Sequence, residues 1–425
     1  MLRHDFARQG LGYVMGVPDI MTEFSVDRMT RRGGETHGEL TVTCGLPGSR
    51  STDGHLHQAR FNLSSTTART SLAKTLAFRS KADEIDWFDL LETFCRAVLG
   101  AEREGDPISM VGALPVQVGG ESYRLWPLLP DGQVTILYGD GGTGKSTLAA
   151  AMLVSIETGV TVIEGWLPRQ APVLYLDWEA GKASINRRVR GVAMGAHIPH
   201  VVQIRHADCR RRGPLPGFAE DVARFIDKEG IGAVVVDSVG MASGTSNEGS
   251  DANESAIRLF SAFGFLGTTV LAIDHISKAA AEDTGKPARP YGSIYKGLLA
   301  RATYELRRSQ AADGRSLLGV FNTKANDGPL LGPMTFSVAH GEDGAITYER
   351  LEATPSELAG SLANPDKIAA VLQGGRHMKP SEIADETGLS EATVRTTLHR
   401  YKGHRFGQLA SKAWELLPDR QKASA

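Results

Sequence analysis

The sequence predicts an α/β protein: a mostly parallel sheet covered by helices on both faces, preceded by a small α+β domain and followed by a helix-turn-helix. Three observations carry this. Short β-rich runs, Val134 to Tyr138, Val173 to Leu176, Ala233 to Val236 and Thr269 to Ile273, alternate with helical stretches such as Lys145 to Thr158 and Ala252 to Phe263. A glycine-rich turn, Gly139 to Ser146, joins the first of these strands to the first of these helices. The 425 residues, 41% hydrophobic and 23% charged, suffice for a sizeable core and about two to four domains.

Residues 1 to about 108 open with a Gly- and Arg-rich stretch of no clear periodicity. Leu40, Val42 and Cys44 alternate with threonines, and Ala59, Phe61 and Leu63 alternate with Arg60 and Asn62, which predicts two half-buried strands. Trp87, Leu91, Phe94, Cys95 and Val98 recur at helical spacing, with Gly100 as the expected stop. His55 and His57 lie two apart in an expected loop, where solvated side chains and a metal role are both open, although no third ligand is near in sequence. The apolar stretch Gly10 to Pro18 is broken by glycine and no signal cleavage pattern follows it.

Residues from about 109 to 350 form the strand-and-helix core. Beyond Arg301 only strands are expected, Thr303 to Leu306, Leu317 to Phe321 and Phe336 to Val338, so the sheet should finish in antiparallel hairpins. The longest apolar run, Ser261 to Ile273, falls well short of the ~20 residues of a membrane span. Cys44, Cys95 and Cys209 lie far apart, which excludes a disulfide framework and a cysteine-rich zinc site and suits a reducing cytoplasm. A net charge of -2 gives no global pull on nucleic acid, so any such contact must be local.

The chemistry concentrates in Gly139-Asp140-Gly141-Gly142-Thr143-Gly144-Lys145-Ser146, a complete G-x-x-x-x-G-K-[ST], with Thr147 next to it. Glycines let backbone N–H groups wrap a phosphate where β-carbons would intrude. Lys145 suits the β- and γ-phosphates of ATP, Ser146 suits Mg²⁺, and the helix that begins there points its positive end at the same anion. Asp237 ends the run Val234-Val235-Val236, the place of an acid that helps hold Mg²⁺. Glu179 follows Val173 to Leu176 at the edge that faces a ligand crevice, where a carboxylate can orient and deprotonate water. Asp177, two residues earlier, competes for that role. His275, after the strand ending at Ile273 and Asp274, is a candidate γ-phosphate sensor or a capping residue.

In this order GDGGTGKST, LYLDWE, VVVDS and LAIDHISK resemble the RecA-like ATPases, and within them the RepA-type hexameric replicative helicases of plasmids and phages. The resemblance spans roughly residues 110 to 340. It implies Glu179 as catalytic base, Asp237 as Walker B acid, His275 as sensor, and a ring whose central channel holds single-stranded DNA. The channel loops would be Ser243 to Asp251 and Ser277 to Ser293, the latter carrying Lys278, Lys286 and Arg289, which can equally be solvated charge. Phe321 to Pro329 resembles the late hairpin offered to the neighbouring subunit. Lys324 matches its lysine, but Asn326 stands where an arginine finger is expected, leaving Arg307 or Arg308 as substitutes.

From about 362 to 420 a modestly basic tail reads as helix, glycine turn at Gly388, then a second helix capped by Ser390 with Val394, Leu398 and Tyr401 inward. Its other face presents Arg395, Thr396, His399 and Lys402, residue types that reach phosphates and base edges. With Phe406, Leu409 and Trp414 behind it, the tail resembles a winged helix-turn-helix, which implies duplex DNA or a protein as partner. The expectation is a cytoplasmic ATP-driven DNA motor of a phage or mobile element. A DNA-binding initiator or regulator switched by ATP is the alternative.

Overall fold

The computed structural model describes residues 2–51, 53–105, 122–244, 250–276, 289–311, 315–352, 358 and 364–417. The chain divides into two compact units, residues 1–115 and residues 116–425.

The first unit is a five-stranded antiparallel meander, β1 (Asp5–Gln9), β2 (Gly12–Val17), β3 (Thr22–Arg32), β4 (Glu35–Cys44) and β5 (His55–Asn62), followed by helices α1 (Thr66–Ser80) and α2 (Trp87–Glu104). Phe24 on the sheet meets Trp87 and Phe94 on α2, with ring centroids 6.4 and 5.8 Å apart. The stretch without evident periodicity is β1 to β3. Its strands approach closely through Gly12, where a β-carbon would lie 2.3 Å from the Val26 carbonyl oxygen, so glycines stand where apolar markers are expected. Helix α1 has too few apolar residues to announce itself; Ser65 caps it, its hydroxyl accepting from the Ala68 N–H at 3.2 Å. Helix α2 runs through Gly100 and ends at Glu104, because Gly105 adopts a positive φ (70°) that side chains resist. His55 and His57 lie on β5, not in a loop. His57 packs edge-on against Phe61, and among the described residues no three ligating side chains gather.

The second unit is built on a nine-stranded sheet in the order β11-β10-β12-β13-β8-β14-β15-β16-β17. The first six strands are parallel: β8 (Val134–Gly139), β10 (Val173–Asp177), β11 (Arg205–Asp208), β12 (Ala233–Asp237), β13 (Thr269–His275) and β14 (Ala302–Gln310). Hairpin strands β15 (Ser316–Ala325), β16 (Met334–His340) and β17 (Ile346–Leu351) add on antiparallel. This is the mostly parallel α/β core that the sequence predicts, with an additional last strand, β17, that the sequence pattern did not announce. A three-stranded sheet of β6 (Tyr123–Trp126), β7 (Leu129–Pro130) and β9 (Leu167–Pro168) flanks it.

The parallel strands are apolar throughout because both faces are covered. Helix α3 (Lys145–Thr158) is buried all round from Leu148 to Ile156, and α4 (Lys182–Gly195) sends Ile185, Val189 and Val192 into the same core. Among the described residues no helix is long and apolar enough to cross a membrane.

After residue 363 come helices Asn364–Val371, Pro380–Thr387 and Glu391–Arg400 and a hairpin of Phe406–Gln408 with Trp414–Leu416. Gly388 (φ 69°) makes the turn, and the Ser390 hydroxyl accepts from the Thr393 N–H at 3.2 Å. Ile368, Ile383, Val394, Leu398, Phe406 and Trp414 form the core of this tail. Ala370 also packs with Leu317 and Phe321, so the tail leans on the hairpin end of the large sheet.

Phe336, fully buried, stands edge-on to Trp166 at 5.3 Å and ties the hairpin strands to the parallel core. Phe336→Ala should cost about 3–5 kcal/mol. Urea unfolding followed by tryptophan fluorescence checks it, and an unchanged midpoint would refute the assignment of this contact.

Candidate functional site

Parallel pairing brings the functional side chains to one edge. Asp177 pairs in register with Asp237, Asp237 with Ile273, and His275 with Gly139, so the four strand ends open together where the glycine turn begins. Helix α3 starts at Lys145 behind Gly142 (φ 76°) and Gly144 (φ 94°), conformations that side chains resist. Gly139 has a different need: a β-carbon there would lie 2.4 Å from the Leu306 carbonyl oxygen of β14. The turn opens on a cleft of about 350 Å³ that runs from residues 142–147 to β15, β16 and β17.

Lys145 is buried and donates to the Gly139 and Asp140 carbonyls at 2.9 and 2.7 Å. Burial lowers its pKa, against the opposing pull of Asp237 and Glu179. Asp237 accepts from the Tyr175 hydroxyl at 2.5 Å through one oxygen, while its Oδ1 is buried without a partner. Burial raises its pKa, Tyr175 and Ser146 oppose that, and the nearby Glu179 and Asp177 charges add to it. A divalent cation beside Asp237 and Ser146 answers both features: it gives the idle oxygen a partner and offsets the crowded negative charge. The residues present therefore fit a phosphate in the glycine cradle and a metal at Ser146 and Asp237.

The structure separates the two rival acids. Asp177 is fully buried and accepts the N–H groups of Glu179, Ala180 and Gly181 at 2.9, 2.8 and 2.7 Å and His206 Nε2 at 3.0 Å. Burial alone would raise its pKa; His206 and these backbone donors outweigh it and hold the group below the usual aspartate value. All its oxygens are occupied in shaping the turn that carries Glu179. Glu179 itself faces the cleft, half exposed, with Oε1 3.3 Å from His275 Nε2. Its pKa is lowered, first by His275 and also by Ser238 and Lys145, against a smaller opposing effect of burial, so it stays ionised at neutral pH. An ionised carboxylate reachable by water, beside a phosphate cradle, can accept a proton.

The expected partners from a neighbouring chain lie elsewhere than expected. The Arg307 guanidinium grips Glu305 through two bonds of 2.8 and 2.7 Å and covers the Phe321 ring at 4.8 Å. The Lys324 ammonium donates to the Gly297, Leu298 and Ala300 carbonyls at 2.8, 2.7 and 2.6 Å, which occupies its three N–H groups within the chain. Arg308 lines the cleft of its own chain, 3.4 Å from the Gly142 carbonyl, held by Ser316 at 2.9 Å. The resemblance implied trans roles for these residues; within the chain Arg308 reaches its own glycine turn at the Gly142 carbonyl.

Of the expected DNA-contacting residues, Lys278 and Lys286 lie outside the described residues, as do positions 245–249 of the first loop, and Arg289 is exposed. In the tail Arg395, Thr396, His399 and Lys402 are exposed on one helix and its end. Arg395 pairs with Glu391, and Lys402 lies over the Trp414 ring at 5.7 Å.

Sequence reasoning missed three contributors. These are Tyr175, Arg188 and Lys296. Lys296 is buried, bonded to Asp274 at 2.9 Å and to the Tyr291 carbonyl at 2.8 Å, fixing the chain where it returns to the sheet. The signal for Arg188 was its position on the helix that follows Glu179 directly.

The model of the family described as AAA domain matches residues 121–281. No curated protein matches the chain. Among solved structures, a KaiC-like protein from the hyperthermophilic archaeon Pyrococcus horikoshii OT3 is similar at 17% identity, covering 55% of this chain and 100% of its own, with a TM-score of 0.38.

Asp177 stabilises the turn as an anion, so its contribution is complete above the ordinary aspartate pKa and is lost as pH falls through the lowered one. Asp177→Asn should lose about 1–3 kcal/mol at pH 7 and flatten the acid limb of the stability curve. Chemical denaturation from pH 7 to pH 3 checks this; parallel curves for the two proteins would contradict it.

Proposed function

We propose that this chain hydrolyses ATP with Mg²⁺ and couples the cycle to DNA as a ring-forming replicative helicase of a phage or mobile element. The observation that carries the reading is the convergence of Lys145, Ser146, Asp237, Glu179 and His275 on one cleft at the ends of parallel strands. In it the glycine turn and Lys145 hold the phosphates, and Ser146 and Asp237 hold the metal. Mg²⁺, when bound, neutralises charge on the β- and γ-phosphates. Glu179 orients the attacking water and takes its proton, and His275 tethers Glu179 and senses the γ-phosphate. The match to an AAA domain model over this region supports ATP-driven activity. The DNA and ring assignments rest on the resemblance in motif order and on the basic helix of the tail.

A second reading is favoured by one observation. The tail, read as a winged helix-turn-helix, packs on the hairpin end of the ATPase sheet through Ala370 and through Gln373, which donates to the Pro333 carbonyl at 3.2 Å. Such a contact suits a DNA-binding regulator whose assembly ATP switches. Single-stranded DNA of any sequence should stimulate the ATPase of a motor, whereas a regulator should respond to one duplex site.

Two predictions follow from the roles assigned. Lys145→Ala should abolish nucleotide binding, while Glu179→Gln should bind ATP nearly as the wild type does and turn over about 10²–10⁴-fold more slowly, a barrier of roughly 3–5 kcal/mol. Calorimetric binding beside phosphate release checks it; normal turnover by Glu179→Gln would remove Glu179 from the mechanism. For the tail, log affinity for duplex DNA against log salt should slope at roughly -3, as three or four phosphate contacts give. Arg395→Ala should flatten the slope by about 1. Arg376, which pairs with Glu386 off that helix, should be neutral on substitution to Ala. Equal effects of the two substitutions would argue for a protein partner.

A further inference from the structure

The partly buried Arg124, Arg205 and Arg307 of the second unit each answer to an acid, Asp131, Glu157 and Glu305. Arg188 does not. It sits on α4, flanked by Ile185, Val189 and Val192, which anchor the helix in the core and fix the direction of its side chain. That side chain lines the cleft into which the glycine turn opens. Its Nη1 is buried and has no hydrogen-bond partner, and among the described residues no carboxylate pairs with it.

Its neighbourhood locates it further. Burial above all, and Asp237 next, push the Tyr175 phenol pKa up, while the Arg188 charge pulls it down. Arg188 is therefore close to the Tyr175 hydroxyl, the group that bonds Asp237 at 2.5 Å and also meets Ser146. This is the Ser146 and Asp237 flank of the cradle, next to the β- and γ-phosphates assigned to Lys145. A buried N–H without an acceptor is unfavourable, and a guanidinium fork suits phosphate oxygens. The other cleft arginine, Arg308, already has Gly142 and Ser316 as partners.

We propose that Arg188 is the second phosphate-binding cation of this site, donating from within the same chain to the terminal phosphate of bound ATP. The proposal rests on the ATPase reading above. During hydrolysis the water oxygen bonds to the γ-phosphorus and its proton passes to Glu179. The bond from that phosphorus to the β–γ bridging oxygen breaks, and its electron pair stays on ADP. Negative charge then shifts over the γ-oxygens and the leaving oxygen, and a fixed guanidinium beside them favours the transition state over the ground state.

The test uses the full-length protein as wild type, Arg188→Ala, Arg188→Lys, Arg188→Gln and Lys145→Ala. ATP and ADP binding are measured by calorimetry and turnover by phosphate release, with thermal melting in the absence of nucleotide to verify folding. Arg188→Ala should weaken ATP binding by about 10-fold or more, change ADP binding less than about 3-fold, and slow turnover by about 10²–10³-fold. Arg188→Lys should recover part of the ATP affinity but little of the rate, because a single ammonium cannot reproduce the fork. If Arg188→Ala does not fold, Arg188→Gln, which keeps the stem, is expected to give the same pattern. Wild-type affinity and rate in the folded variants, or equal losses for ATP and ADP, would overturn the proposal. Failure of the wild type itself to bind or hydrolyse ATP would instead remove the ATPase reading, and Lys145→Ala, which should lose both nucleotides, separates the two failures.

Discussion

Three buried aspartates, Asp177, Asp237 and Asp274, end three neighbouring parallel strands, and the unfavourable desolvation of their charge shapes everything around them. Each is answered differently. Asp177 receives three backbone N–H groups and His206, Asp274 receives Lys296 and the His275 N–H, and Asp237 receives Tyr175 on one oxygen only. The first two are saturated by the protein itself. Only the third keeps a buried oxygen without a partner, and it lies beside Ser146 at the start of α3. Satisfaction of hydrogen-bonding capacity thus tells a structural acid from one available to a cation, where sequence position cannot.

The two saturated aspartates make the open one usable. Asp177 fixes the turn that carries Glu179, so the backbone bearing that carboxylate is held by hydrogen bonds to a buried anchor. Asp274 and Lys296 fix the end of β13, which carries His275, and His275 in turn reaches Glu179 at 3.3 Å. Two buried anchors therefore hold the two partly exposed groups against each other across the cleft. A half-exposed pair left to itself would contribute little and would sample many geometries. The rigidity comes from beneath.

Sequence alone made the parallel core legible because its strands are doubly buried and hence continuously apolar, and because the glycine turn needs a fixed spacing that few other structures share. It was blind where polarity and burial part company. The early strands of the amino-terminal sheet include glycine at a close approach, so Gly12 on β2 stands where a large apolar residue marks most strands. Helix α1, rich in Thr, Ser and Arg, buries Leu72, Ala73 and Leu76 but shows almost no contrast between its faces in sequence. In the site, Lys145, Asp237 and Glu179 were found from spacing. Tyr175, Arg188 and Lys296 were not, because what singles them out is a partner, or the lack of one, supplied by residues far away in the chain.

The cations show the same limit from the other side. Lys324, Arg307 and Arg308 looked like groups waiting for a neighbouring subunit, since no motif of their own chain claimed them. In the folded chain Lys324 closes the carbonyl end of the short helix Ile294–Leu299, and Arg307 serves Glu305 and Phe321. To offer Arg307 to another molecule, the chain would have to leave the buried Glu305 carboxylate unanswered, which is unfavourable. Arg308 on β14 and Arg188 on α4 both line the cleft of their own chain. Two guanidinium groups of the same chain thus line the cleft that holds the glycine turn. If the protein assembles as a ring, contact between neighbours would then act on hydrolysis by moving the walls of this cleft together or apart, changing the distance of two resident guanidinium groups from the phosphates. Coulomb energy varies steeply with distance in a cleft of low polarity, so small displacements of β14 or α4 would suffice.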